Sequence, residues 1–209
     1  FLAVERLYEQ SGQWKALVAL YLGLVDRAPA LGVQPLAYLR RAAEILESRL
    51  RDDRNAARAY ARVLAAAPED AGVLERAARV FARIEGRAAQ IEVDVQRAKV
   101  SMDDHVRAAL LSRAANIQSF DGDPVAAAGE ALPLFRAALE SSASHAGAIE
   151  GIIRAANLLG RTAEVSVVAQ ALQSMQSPDP SQRLLVCDAL LAADHTDTAG
   201  SLLDVAYRD

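Results

Sequence analysis

Three histidines, one cysteine and a few carboxylate pairs are the residues of this 209-residue chain most able to do chemistry. His105, His145 and His195 stand 40 and 50 residues apart, and none has a second ligand three or four positions away, the local spacing of helical metal sites. Each falls near a predicted helix end, where capping or exposure accounts for it. Cys187 sits among Leu185, Val186 and Leu190, the setting of an inert buried thiol, and no base or orienting group is identifiable for a nucleophile there. Asp52-Asp53 and Asp103-Asp104 are adjacent rather than facing, at positions where stabilising a helix start explains them. Gly122-Asp-Pro124 lacks the glycine run and the lysine of a phosphate loop. These readings predict no catalytic residue, no metal and no cofactor, and therefore binding rather than turnover.

What has to position any binding residue is a succession of amphipathic helices. Ala56, Ala59, Tyr60, Val63 and Leu64 recur at helical spacing and stop at Pro68, while Leu39, Ala42, Ala43 and Leu46 form a second stripe just upstream. Only Arg51-Asp-Asp-Arg54 separates the two stripes, which makes them a helical hairpin. Further helices are expected near residues 1–10, 14–27, 35–50, 55–67, 69–84, 87–100, 103–120, 144–159, 162–175, 181–193 and from 197 or 198. Asp53 or Asn55 is the expected cap of the fourth helix, Ser101 or Asp103 that of the seventh. Ala28-Pro29 should close the second helix, followed by an irregular connection from Ala30 to Gln34 that contains Gly32. Asp121-Gly-Asp-Pro124 ends one helix and starts the next. Pro133, nine residues on, predicts a break or kink between Gly129 and itself, because an interior proline costs about 3 kcal/mol.

The order small residue, ring, aliphatic pair, proline at Ala56, Tyr60, Val63, Leu64 and Pro68 resembles the second helix of a tetratricopeptide repeat, a unit of about 34 residues. Tyr8, Gly12, Trp14, Leu17, Tyr21, Leu24 and Pro29 repeat the pattern at the start of the chain. A third copy opens with Leu74, Ala77, Ala78 and Phe81 and turns at Glu85-Gly-Arg87, with Ile91 and Val95 where a small residue and a ring belong. A fourth has Leu111, Ala114 and Ala115, then Ala131, Phe135, Ala138 and Leu139; the fifth, around Gly160, and the sixth, around His195, keep only the helical period and the turn. The resemblance implies an all-α, right-handed α-solenoid of about six antiparallel hairpins, with units near 1–29, 35–68, 70–100, 103–142, 144–176 and 179–209. It also implies a concave groove lined by the first helices. The register places Arg40, Glu44 and Glu47, then Glu75, Arg79 and Arg83, then Ser112 and Asn116 in that groove, with Glu150 and Arg154 added by the fifth unit. The alternative for Glu75 with Arg79 and for Glu150 with Arg154 is an ordinary intrahelical ion pair worth about 0.3–0.5 kcal/mol. The family's cluster of cations for a peptide carboxyl terminus is not evident, since Asn116 is alone and acidic residues intrude.

Composition agrees with closely packed helices: 52% of residues are hydrophobic, only 5% are aromatic, and alanine is abundant. Residues 144–209 carry 8 of the 27 acidic and 4 of the 23 basic side chains, so the net charge of −4 belongs to the last third and the rest is balanced. A balanced first part argues against a nucleic-acid footprint. Lys15 and Lys99 are the only lysines beside 21 arginines, a bias of GC-rich, bacterial genomes more than of guanidinium chemistry. One cysteine excludes an intrachain disulfide and is compatible with a cytoplasmic location. No apolar run approaches the roughly 20 residues that cross a bilayer. Phe1 lies inside a helical pattern and no polar capping helix closes the chain at Asp209, as expected of a piece of a longer array. The functional expectation is a scaffold that holds a peptide or helix of a partner protein. Its alternatives are a structural array that self-associates, as in a homodimer, and the regulatory arm of an enzyme domain outside this stretch.

Overall fold

The computed structural model describes residues 2–31, 35–84, 86–175 and 179–206. The described residues form twelve α-helices and no strand: α1 (Leu2–Gln10), α2 (Trp14–Leu31), α3 (Pro35–Ser48), α4 (Asp53–Ala66), α5 (Ala71–Arg83), α6 (Arg87–Val100), α7 (Asp104–Ser119), α8 (Pro124–Ser141), α9 (Ala146–Leu159), α10 (Ala163–Gln173), α11 (Pro180–Ala192) and α12 (Thr196–Ala206). The expected all-α class is therefore the observed one. Gly32 to Gln34, Glu85 and the Ser177-Pro178 pair lie outside the described residues. Two compact units, Phe1–Gln96 and Arg97–Asp209, divide the chain within α6.

In the first unit α1 packs on α2, α2 on α3, α3 on α4 and α4 on α5. The stripes expected to face inward largely do so: Leu39, Ala42, Ala43 and Leu46 of α3 and Ala56, Ala59, Tyr60 and Val63 of α4 are buried, as are Leu17 and Tyr21 of α2, while Leu64 is only half-buried. Tyr21 stacks on Tyr38 with ring centroids 5.8 Å apart. Asp52, not Asp53 or Asn55, caps α4, its carboxylate accepting the backbone N–H of Asn55 at 3.2 Å. Arg51 at φ 53° turns the chain one residue earlier than the sequence suggests, which moves the cap with it.

In the second unit each helix from α7 to α12 packs on its successor, and α7 also meets α9, α9 meets α11 and α10 meets α12. First helices therefore touch first helices, and second helices touch second helices, as in stacked hairpins. Asp103 and Asp123 cap α7 and α8 through their carboxylates, and Gly122 supplies the left-handed turn, φ 78°, that leaves α7. Pro68 follows the end of α4 as expected, whereas Pro29 and Pro133, also expected to close or break helices, sit inside them. Pro29 lies in the last turn of α2, and Pro133 lies within α8, which is continuous from Pro124 to Ser141. The exposed Pro133 loses one backbone bond, whereas Ala131, Leu132, Phe135, Ala138 and Leu139 are buried on the other side of the helix. Burial of that face, at about 25 cal/mol per Å² of apolar surface, outweighs one missing bond.

Polar ties between neighbouring hairpins recur at a narrow range of sequence separations. Within the first unit Arg62 meets Asp26 at 36 residues and Arg83 meets Asp53 at 30; within the second, Arg154 meets Asn116 at 38 and Arg136 meets Glu164 at 28. These separations bracket a repeat of about 34 residues. Among the described residues no helix is long and apolar enough to cross a membrane.

Candidate protein-interaction surface

The arginine and glutamate residues predicted to line a groove fall in both units, and most are engaged with one another. Arg40 of α3 pairs with Asp70, the cap of α5. Glu47 is buried; its carboxylate accepts the Tyr60 hydroxyl at 2.7 Å and a guanidinium N–H of Arg76 at 3.3 Å, with Arg83 3.6 Å from its other oxygen. Burial and then the Glu47 hydrogen bond push the Tyr60 hydroxyl above its ordinary pKa. Arg83 grips Asp53 with two bonds of 2.8 Å, and that hydrogen bonding holds Asp53 below the usual carboxylate range. Glu44 stands 3.7 Å from Arg41. Arg79 and Glu75 form an exposed pair at 2.8 Å within α5, the intrahelical alternative. In this unit the charges staple α3, α4 and α5 together, and Glu47 has no surface left to offer a ligand.

The second unit differs. Ser112 is buried, its hydroxyl 2.8 Å from where a side chain on Gly147 would begin. Asn116 of α7 accepts a hydrogen bond from Arg154 of α9 at 3.0 Å, and the Arg154 guanidinium lies 6.0 Å over the Phe120 ring. Among the described residues the alternative Glu150–Arg154 ion pair does not form, because the arginine turns toward α7. Among the described residues no carboxylate pairs with Arg154, so one of its five N–H donors meets a neutral amide and the charge stays open.

Beside Arg154 is an apolar hollow of about 320 Å³. Phe135 of α8 and Gly151 of α9 line its floor, and Phe120, at the end of α7, and Leu158 of α9 its rim. Phe120 is 72% and Leu158 49% exposed. Helices α8 and α9 approach closely there: a Cβ on Gly151 would lie 2.3 Å from the Phe135 ring. Sequence reasoning did not single out Phe120, Gly151 or Leu158. The available signal was the pair of glycines four apart in α9, Gly147 and Gly151, which marks close approach of another element.

Two hollows in the first unit compare poorly with it. One of about 360 Å³, near Glu9, Arg41 and Glu44, is mainly polar, and Arg49 covers its Trp14 at 5.0 Å. Another of about 210 Å³, between α4, α5 and α6, has Phe81 and Val93 buried in its wall and offers no exposed large apolar side chain. Elsewhere, His105 bonds Ser142 across 3.3 Å. His145 is pushed below the ordinary histidine pKa by burial first and by the charge of His105 second. Two of the three histidines thus approach each other, although no metal-holding group of three occurs among the described residues. Cys187 is buried, which raises its thiol pKa, as does Asp188.

The fold and this surface define an all-helical, repeat-like protein with an open apolar hollow and a fixed cation. No family model matches the chain, and no curated protein matches it either.

Proposed function

We propose that the chain is a protein-interaction scaffold of tetratricopeptide-like hairpins, an α-solenoid in type, that binds a peptide or helix of a partner protein without turnover. The observation that carries this reading is the hollow between α7, α8 and α9, where Phe120 stays 72% exposed beside Leu158 and an unneutralised Arg154. Folded proteins rarely leave large apolar side chains at the edge of a hollow unless something docks there. Inserting one partner side chain against Phe120, Phe135 and Leu158 would remove apolar surface from water at about 25 cal/mol per Å², and the helical walls need no rearrangement to receive it.

Selection of a displayed library of random twelve-residue peptides on the immobilised chain tests this. Enriched peptides are expected to bind the natural chain at least tenfold more tightly than a Phe120→Asp variant with an unchanged helical circular-dichroism spectrum. Equal binding to both proteins would remove the hollow as the docking site.

A further inference from the structure

Resting on that reading, we infer that the hollow takes a segment in which an apolar side chain is followed or preceded, within about one helical turn, by an internal aspartate or glutamate that meets Arg154. Eight other arginines, Arg40, Arg41, Arg62, Arg76, Arg79, Arg83, Arg107 and Arg136, have a carboxylate partner within the chain. Arg154 has Asn116 and the Phe120 ring, both neutral. It is the one charged residue among those lining the hollow. Asn116 and Phe120 hold the guanidinium on the rim before any ligand arrives, so less side-chain freedom is lost on binding. A carboxylate arriving there gains charge-assisted bonds from donors the chain has left open, roughly twice as strong as neutral ones. A basic segment meets an uncompensated like charge.

The probes are twelve-residue peptides, acetylated and amidated so that no terminal carboxylate is present, each with one leucine and, up to four positions away, glutamate, glutamine or lysine. Fluorescence anisotropy with the whole chain should show the glutamate peptides binding at least tenfold more tightly than the glutamine ones, and the lysine peptides weakest. Arg154→Gln, which keeps a donor for Asn116, should abolish the preference; Arg154→Lys should keep part of it. Equal affinity for the glutamate and glutamine peptides, or a preference that persists in Arg154→Gln, overturns the acidic assignment. If either result comes with binding that Phe120→Asp abolishes, the docking site stands and only its charge selectivity falls. Failure of every leucine peptide to bind, or binding indifferent to Phe120→Asp, overturns the acidic assignment and the docking site together.

Discussion

Gly151 shows how a single atom sets the hollow. Its missing Cβ lets the Phe135 ring lie where any other residue would place a carbon 2.3 Å away. Gly151→Ala forces α8 and α9 apart or drives Phe135 off its rotamer, so equilibrium unfolding in urea should show a loss of about 1–3 kcal/mol. A neutral or stabilising result would mean that the ring swings aside freely and the floor is not rigid. Other individual roles were legible in the sequence only as residue types. Glu47, Arg40 and Arg83 were recognisable as charges at helical spacing, but Tyr60, Asp70 and Asp53 consume them from neighbouring helices. Such partners lie 13 to 30 residues away, beyond any local pattern. Arg154 illustrates the converse: the obvious partner, Glu150, is four residues off, and the side chain instead reaches Asn116, 38 residues away.

At the scale of elements, periodicity was the dependable signal, while proline marked helix boundaries correctly at Pro35, Pro68 and Pro124 and misled at Pro29 and Pro133. The stripes of α3 and α4 are buried where their spacing placed them, and α6 spans the expected residues 87–100. Local propensity alone makes Pro29 and Pro133 look like breaks; in α8, burial of Ala131, Leu132, Phe135, Ala138 and Leu139 stabilises the helix by more than the proline costs it. Since the exposed Pro133 sits within continuous helix, Pro133→Ala restores a backbone donor for the Gly129 carbonyl at no steric cost. Thermal unfolding should show stabilisation of up to about 3 kcal/mol. Destabilisation would show that the proline ring supports packing in this helix. Cap positions shift by one residue, as at Asp52, because Asp52 and Asp53 are equally competent caps and the backbone turn at Arg51 decides between them.

At the scale of the molecule, each of the two units is built from helices that pack on their neighbours in the chain, and in the second unit on next neighbours as well, a pattern the repeated stripes made readable. The hollow between α7, α8 and α9 was not readable, since it depends on which apolar side chains the stacked helices fail to cover. The proposed partner binding belongs to the α7–α9 region of the second unit and not to the charged helices of the first. Backbone hydrogen exchange, measured by mass spectrometry on the whole chain with and without a selected library peptide, tests it most directly. Slowed exchange is expected only in fragments covering residues 116–128 and 150–158. Slowed exchange centred on residues 40–83 instead would contradict it.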